Sequence, residues 1–233
     1  MELAPGVYSL GVHKGFATHA FLVADDDGFT LIDTLFDADG LVIANQIRAL
    51  GGTLADLKRI VVTHAHRSHL GGLAALKRLS GATVYSHPWE ADIIAGERSA
   101  QQVSWWPQDP IVTYHFQVAN NLNISRHRPC RVDKYVTGGE QLGKVEVVHA
   151  PGHTPGSCCF HGAFEAGRVV LAGDTLFRGG VGRTDLWGGS WDQLEASIQR
   201  DLYALDDATL VIPGHGPTTT IGDEAEGNPF VRR

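Results

Sequence analysis

The chain has 233 residues, and its content of 43% hydrophobic and 19% charged residues is typical of a folded globular protein, which excludes a disordered, collagen-like or coiled-coil chain. The formal net charge is −7 and no long basic run occurs, so we predict no nucleic-acid partner. The 12 histidines are the unusual feature, because histidine is the commonest metal ligand and a proton-transfer group near neutral pH.

The first half of the chain alternates between predicted strands and helices. A hairpin is indicated by Asp27-Gly28 between two apolar runs, and a helix by Ile43, Ile47 and Leu50, which recur at helical spacing before Gly51-Gly52. The predicted strands span 6–10, 19–24, 29–33, 59–63 and 83–86, and the predicted helices span 38–50 and 69–79.

The second half shows the same alternation after an irregular segment. Residues 88–136 are less regular, contain Trp105 and Trp106, and are predicted to form a lid-like insertion or a helical excursion. Strands are predicted at 144–150, 168–172 and 209–212, and a helix begins at Ser190, where Gln193 completes a capping-box pattern. This alternation, with hairpins at the front, predicts a single α/β domain over 1–233 with mixed sheets.

Four of the predicted strands run directly into a histidine or an aspartate. In each case an apolar run ends and a glycine or a turn follows, which places the polar side chain at the carboxyl end of a strand, where α/β sheets bind their ligands. If these ends are neighbours, five histidines and one aspartate converge on one small volume. The six residues are His64, His66, His69, His153, Asp174 and His215.

This set of side chains favours a metal centre. Imidazole and carboxylate together suit Zn²⁺, and also Fe or Mn. His64 and His66 are two residues apart, so an extended segment turns both side chains to the same face. Asp174 is the only carboxylate in the set, and its two oxygens allow it to bridge two metal ions that together activate one water.

The remaining histidines and the cysteines are interpreted as bystanders. Cys158 and Cys159 lie in an apolar stretch and are predicted to be buried, and the odd count of three cysteines excludes a disulfide framework, which favours a reducing, cytoplasmic compartment. The first residues lack a signal-peptide pattern and no apolar run reaches the ~20 residues of a membrane span, so we expect no leader and no membrane partner. Surface or packing roles are predicted for His13, His87, His115, His127 and His161, and structural or metal-supporting roles for His19 and His149.

Several short motifs resemble those of the metallo-β-lactamase superfamily. The segment His64-Ala65-His66-Arg67-Ser68-His69 is similar to the family motif H-x-H-x-D-H, and Pro151-Gly152-His153 and Gly173-Asp174-Thr175 are similar to further family motifs. Gly182-Arg183-Thr184-Asp185 and the closing Pro213-Gly214-His215 resemble the short bacterial members of the glyoxalase II (hydroxyacylglutathione hydrolase) branch. The resemblance implies an αββα sandwich of two mixed β-sheets flanked by helices, with the site at one edge of the sheets.

The resemblance also implies how the ligands divide between two metal ions. The ligands of the first ion would be His64, His66 and His153, those of the second His69 and His215, with Asp174 between the two. The chain departs from the family at Ser68, where the motif aspartate would bind the second ion and hydrogen-bond the attacking hydroxide. A serine hydroxyl is a far weaker ligand for Zn²⁺ than a carboxylate, so we expect one tight zinc ion and a second that is weaker or absent.

The leading hypothesis is a metal-dependent hydrolase that acts on a small-molecule acyl compound. Metal-bound hydroxide would attack the carbonyl of a thioester of the hydroxyacylglutathione type, whose thiolate leaves without needing a proton. Three alternatives stay open: hydrolysis of another ester or lactone, persulfide oxidation at one iron held by His64, His153 and Asp174, and a weakly active or non-catalytic metal-binding relative. Substrate contacts are predicted for Trp105, Trp106, Phe177 and Arg183, and catalytic roles for Asp174 and for Ser68 as the departing position.

Overall fold

The computed structural model describes residues 1–14, 16–98, 127–186 and 188–233, with backbone alone for 12–14, 16 and 17. Within these ranges two large mixed β-sheets pack face to face, and helices cover both outer faces. The predicted αββα sandwich is therefore confirmed. None of the helices in the described ranges has the length and apolar character needed to cross a membrane.

The first sheet has seven strands and changes from antiparallel to parallel pairing at its middle. Its strands are β1 (Glu2–Ala4), β2 (Val7–Ser9), β5 (Phe21–Asp25), β6 (Gly28–Ile32), β7 (Leu57–Val61), β8 (Thr83–Ser86) and β9 (Lys134–Tyr135), in that spatial order. Pairing is antiparallel from β1 to β6 and parallel from β6 to β9. Two further strands, β3 (Val12–Lys14) and β4 (Phe16–Thr18), form a separate hairpin.

The second sheet has six strands and is antiparallel except for one central pair. Its strands are β10 (Gln141–Leu142), β11 (Val145–His149), β12 (Cys158–Phe164), β13 (Gly167–Gly173), β16 (Leu210–Pro213) and β17 (Thr219–Thr220), in that spatial order. The pair β13–β16 is parallel, so the carboxyl ends of these two strands lie side by side. Strands β14 (Leu176–Phe177) and β15 (Gly180–Val181) form a small hairpin beyond β13.

Helices flank each sheet. Those beside the first sheet are α1 (Leu41–Ala49), a 3₁₀ turn (Leu54–Asp56), α2 (Arg67–Leu70), α3 (Leu73–Ser80) and α4 (Pro88–Ile94). Those beside the second are α5 (Trp191–Ser197), which continues as a π-helical turn (Ile198–Leu202), and α6 (Ile221–Gly227). The predicted start at Ser190 is confirmed, because its hydroxyl accepts a hydrogen bond from the Gln193 amide.

The helix predicted over 69–79 is divided into α2 and α3 at Gly71-Gly72. The Gly71 amide donates to the carbonyl of Leu35, and a Cβ atom at Gly71 would lie 2.4 Å from that oxygen. The backbone at Leu35 and Phe36 approaches Gly71 so closely that only glycine fits there, and the helix is interrupted at this point.

Alternation along the strands produces three hydrophobic layers. Ile32 and Val61 of the first sheet and Leu171 of the second point into the central layer between the sheets. Their neighbours Leu31 and Ile60 face the helices of the first sheet, while Val170 faces those of the second. Successive side chains of a strand point to opposite faces, so strands buried on both faces read as continuous apolar runs.

The segment predicted to be an irregular insertion, 88–136, begins and ends in regular structure. Pro88–Ile94 forms α4, which proline at the first helical position favours, and Lys134–Tyr135 pairs with β8 as the edge strand of the first sheet. The helix agrees with the helical possibility for this segment, although its bounds were not predicted, and the edge strand Lys134–Tyr135 was not predicted. Trp105 and Trp106 lie outside the described residues.

Candidate metal centre

The six predicted ligands lie together at one edge of the sandwich. His64, His66 and His69 follow β7 of the first sheet, whereas the other three follow strands β11, β13 and β16 of the second. They form two groups that share Asp174, and within each group the candidate ligand atoms lie within 4.8 Å of one another. The groups are His64, His66, His153 and Asp174 in one case and His69, Asp174 and His215 in the other.

Asp174 occupies the middle of this arrangement. Its Oδ2 lies 3.8 Å from His64 Nε2, 3.7 Å from His153 Nε2 and 3.5 Å from His215 Nε2. Its Oδ1 lies 3.5 Å from His69 Nε2. One carboxylate therefore faces histidines of both groups, as a bridging ligand would.

The first histidine cluster, His64, His66 and His153, is closed to solvent. The three residues are 1%, 9% and 2% exposed, in that order. His66 Nδ1 and His153 Nε2 lie only 2.9 Å apart, and the rings of the three residues meet edge to face at 4.5 to 4.7 Å between centroids. His153 Nδ1 donates a hydrogen bond to the carbonyl of Arg183 at 2.8 Å, which leaves His153 Nε2 as the nitrogen that could bind a metal.

The second histidine cluster, His69 and His215, is half open. His69 is fully buried, and its Nδ1 donates to Asp33 Oδ2 at 2.6 Å. The side chain of His215 is 31% exposed, and its Nδ1 lies 3.4 Å from the Thr18 hydroxyl. Phe177 of the β14–β15 hairpin lies on this side, with its ring centroid 6.4 Å from that of His215.

Asp33 supports ligands of both clusters from the end of β6. It adopts a left-handed backbone with φ 62°, is completely buried, and accepts hydrogen bonds from the Thr63 amide and the Thr63 hydroxyl, both at 2.8 Å. That hydroxyl lies 2.9 Å from His64 Nδ1. Because the Thr63 proton goes to Asp33, His64 Nδ1 donates to the Thr63 oxygen and leaves its own Nε2 free to bind.

Burial favours the neutral, metal-binding form of the three histidines in the first cluster, whereas the carboxylates beside His69 favour its charged form, which must lose a proton when a metal binds. Burial lowers the pKa of His64 and of His66 well below the ordinary histidine value, and it also lowers the pKa of His153. Burial acts in the same direction on His69, but Asp33 and Asp174 outweigh it and raise the pKa of His69 to about 10. Burial opposes ionisation of Asp174, yet the histidines around it, His69 first, hold its pKa well below the usual carboxyl range.

The hydrogen bonding of the candidate ligand atoms is consistent with a bound metal ion. Among the described residues, three buried polar atoms of the centre have no hydrogen-bond partner: His64 Nε2, His69 Nε2 and Asp174 Oδ1. Unpartnered buried polar groups are costly, and a coordinated cation would satisfy all three. Gly214 keeps the space open, because a Cβ there would lie 2.7 Å from Asp174 Oδ1 and 3.0 Å from His69 Cε1.

The other residues predicted for the site occupy different environments. Ser68 is half-buried on α2, directly before His69, where it offers a hydroxyl and no carboxylate. Phe177 faces His215, whereas the Arg183 guanidinium is bound to Asp185 through two hydrogen bonds of 2.7 and 2.6 Å. Arg183 thus contributes to the centre through its main-chain carbonyl, a role that its sequence position did not indicate.

Four of the described bystander histidines have partners away from the ligand atoms, whereas His161 lies on β12 and its buried Nε2 has no hydrogen-bond partner among the described residues. His87 and His149 stack with 4.4 Å between their centroids, and His149 Nε2 donates to the carbonyl of Pro155. His127 donates to the carbonyl of Ile94, and His19 contacts Ser9 and the carbonyl of Gly216 beside His215. The prediction that Cys158 and Cys159 are buried is confirmed. The predictions for His115 and for the side chain of His13 concern parts outside the described residues.

The sequence reasoning assigned no role to two supporting carboxylates, although the segment Leu31-Ile32-Asp33-Thr34 was among those that resemble the family. Asp33 follows an apolar strand directly, which is the same pattern that identified the ligands, so this signal was available. Glu90 is completely buried on α4 and accepts hydrogen bonds from the Ala65 amide, the Thr154 hydroxyl and the Gly156 amide. Burial raises the pKa of Glu90 although its three donors act in the opposite direction. The bounds of its helix were not predicted, which hid this residue.

Comparison with known proteins gives a consistent result. The protein family described as "Metallo-beta-lactamase superfamily" matches residues 13–215 of this chain. The chain is 33% identical to the "Probable metallo-hydrolase YqgX" of Bacillus subtilis, over 91% of this chain and 90% of that one. It is 31% identical to the "Hydroxyacylglutathione hydrolase GloC" of Haemophilus influenzae, over 93% of each.

A solved structure described as TTHA1623 in a di-iron-bound form superimposes with a TM-score of 0.77 and 31% identity, covering 96% of this chain and all of that one. The match of the family over most of the chain agrees with the four-layer fold and with the histidine-rich edge of the two sheets. The chain belongs to the metallo-β-lactamase superfamily.

Proposed function

We propose that this chain is a metal-dependent hydrolase of acyl compounds, and that its substrate is a thioester of the hydroxyacylglutathione type. The observation that carries the proposal is the convergence of five histidines on Asp174, with three buried ligand atoms that lack a partner among the described residues. The relatives named as a metallo-hydrolase and as a hydroxyacylglutathione hydrolase support the reaction class.

The first histidine cluster and Asp174 would hold the tightly bound ion. A divalent metal bound there lowers the pKa of a coordinated water to about 7 and polarises an acyl carbonyl. The chain prepares the ligands for this role, since hydrogen bonds from Nδ1 to Thr63 and to the Arg183 carbonyl fix the rings of His64 and His153. We propose zinc as the metal, with iron or manganese as the alternatives.

The second histidine cluster would bind a further ion more weakly. Its ligands are His69, His215 and the shared Asp174, and Ser68 stands where the family has a carboxylate. A site with fewer anionic ligands binds a divalent cation less tightly. We therefore propose one tight ion, with the second position weak or empty.

The missing carboxylate also favours a thioester over an amide as the substrate. In hydrolysis the acyl–sulfur bond breaks, water supplies the hydroxyl of the acid, and the thiolate departs without first receiving a proton. An amide would need a proton donor for its nitrogen. In the described part of the chain, neither ligand group contains a carboxylate besides Asp174, so the easier leaving group matches the groups present.

The open side of the centre is where we place the substrate. His215 is the exposed histidine, and Phe177 beside it supplies an apolar surface for the acyl or thiol portion. Arg183 carries its guanidinium on the loop that follows the same hairpin, already paired with Asp185. Contacts from Trp105 and Trp106 stay a prediction.

The test combines metal analysis with two assays on the full chain. Protein freed of metal and reloaded with one equivalent of Zn²⁺ is assayed for loss of the thioester of a hydroxyacylglutathione, with the oxygen ester of the same acid in parallel. We expect the thioester to be cleaved faster, and we expect no cleavage by metal-free protein or by Asp174→Asn. The variant Asp207→Asn, at an exposed aspartate that pairs with Arg233, is the matched control and should keep full activity.

Two results would contradict the proposal. Absence of cleavage of either ester by protein loaded with zinc, iron or manganese would remove the hydrolase assignment. Oxygen uptake by the iron-loaded protein in the presence of a glutathione persulfide, without thioester cleavage, would replace it with the oxidative alternative.

A further inference from the structure

We infer that Glu90, whose hydrogen bonds go to the loops that carry the ligands and not to the ligand side chains, is a positioning residue of the tight metal site. This inference rests on the proposed function. The carboxylate of Glu90 joins the two separate loops that carry His64, His66 and His153. We refer to its three hydrogen bonds as the Glu90 bridge.

Each oxygen of Glu90 holds one ligand loop. Oε2 accepts from the amide of Ala65, the residue between His64 and His66, at 2.9 Å. Oε1 accepts from the Thr154 hydroxyl at 2.6 Å and from the Gly156 amide at 3.2 Å, on the loop between β11 and β12 that carries His153. These loops come from different sheets, so one side chain sets the separation of the three histidines.

The chemistry of the bridge requires a carboxylate. The Ala65 and Gly156 amides are donors only, and they approach opposite oxygens of Glu90. A glutamine has one acceptor oxygen, so either orientation of its amide would turn an NH₂ group toward one of the two backbone amides. The side chain is completely buried, so water cannot compensate for the lost bond.

The site of the bridge within the fold adds a second argument. Glu90 lies on α4, which packs with the first sheet, yet two of its three donors belong to the loop after β11 of the second sheet. A Cβ at Gly156 would lie 2.7 Å from Glu90 Oε1, so the loop has no side chain there and its backbone approaches the carboxylate closely. Residues that orient ligands from outside the coordination shell typically change metal affinity by about 10–100-fold when altered.

The chain offers a closely matched control in Glu224 of α6. Glu224 is 4% exposed and also accepts three hydrogen bonds, from the Gly179 amide, the Thr219 hydroxyl and the Asn228 side chain. None of these donors is adjacent to a histidine ligand. Replacing Glu224 with glutamine therefore reproduces the burial and the loss of one acceptor without affecting the loops of the tight site.

The experiment measures Zn²⁺ affinity by competition with a chelator, using the full chain after metal removal. We expect Glu90→Gln to weaken the first Zn²⁺ by about 10–100-fold, and Glu224→Gln to leave it unchanged. Thr154→Val keeps Glu90 and its two amide donors but removes the hydroxyl donor of the bridge, together with that hydroxyl's contact with Ser157, and should weaken Zn²⁺ binding less but in the same direction. This variant decides the question if Glu90→Gln fails to fold.

Equal Zn²⁺ affinity in wild type, Glu90→Gln and Thr154→Val would overturn the inference, as would an equal loss in Glu90→Gln and Glu224→Gln. Failure of the wild-type chain to bind Zn²⁺ at all would instead remove the proposed function on which the inference rests. The measurement needs no substrate, so the two failures are distinguishable.

Discussion

The two histidine clusters of the centre share Asp174 but differ in how they are supported and exposed. His64, His66 and His153 are closed to water and held from behind by the Glu90 bridge, whereas His215 of the second cluster is 31% exposed at its side chain. Under the proposed function, this difference indicates a division of labour, in which the first cluster retains an ion and the second leaves room beside Phe177 for a substrate.

The largest effect is expected at Asp174, the residue that both groups of candidate ligands share. Asp174→Asn keeps the size of the side chain but replaces a charged bridging group that lies 3.5 to 3.8 Å from four histidines with a neutral one. We expect both ions to be lost, with affinity reduced by more than about 100-fold, since a direct ligand contributes more than an outer-shell partner. Elemental analysis after chelator treatment measures the loss, and retention of one equivalent would show that the clusters are independent of Asp174.

Removing one histidine from each cluster separates their contributions. His153→Ala should abolish the tight ion, with a loss of about 100-fold or more, whereas His215→Ala should retain it and reduce substrate turnover. Metal stoichiometry and thioester cleavage are measured on the same samples. His161→Ala, on β12, is the control, and identical metal content in both cluster variants would contradict the division of labour.

A smaller effect, larger on the second ion than on the first, is expected from Asp33→Asn. The change weakens the 2.6 Å hydrogen bond that orients His69 through its Nδ1, and it affects His64 only indirectly, through Thr63. We expect about a 10-fold loss of affinity for a second Zn²⁺, measured by calorimetric titration of protein already holding one equivalent. Asp25→Asn is the matched control, because the Asp25 side chain is 2% exposed and binds Arg59 far from the ligands.

The smallest expected change is a gain in affinity for the second ion. Ser68→Asp restores the carboxylate of the family motif beside His69, and we expect it to strengthen the second Zn²⁺ by about tenfold, which corresponds to about 1.4 kcal/mol. Two equivalents should then survive dialysis where the wild type keeps one. Ser190→Asp, which exchanges one good N-cap for another, is the control. Unchanged stoichiometry in Ser68→Asp would mean that Ser68 does not limit the second position.

Much of this organisation was predictable, because the ligands obey a local rule. His153, Asp174 and His215 each come soon after an apolar strand, and parallel pairing of β13 with β16 places the last two side by side. The apolar runs, and the alternation of predicted strands with predicted helices, likewise predicted an α/β fold with mixed sheets. These signals depend on neighbouring residues in the chain, which a sequence displays directly.

The supporting residues were less predictable, because their partners are distant in sequence. Glu90 bonds to residues 25 to 66 positions away, and Arg183 acts through a carbonyl that every residue possesses. The bounds of helix α4 were missed because its seven residues are too few for helical periodicity to stand out. Long-range hydrogen bonds and short elements therefore became evident only in three dimensions.

The distribution of ligands between the sheets has a consequence for assembly. Three histidines come from the first sheet and the other ligands from the second, and the Thr63 carbonyl accepts a hydrogen bond from the Cys158 amide across the same edge. Under the proposed function, an ion in the tight site ties residue 64 to residue 153 and closes a long loop of chain, as a covalent cross-link would. Neither sheet alone supplies all the ligands of the tight site. Metal binding would therefore require that the two sheets have already packed together.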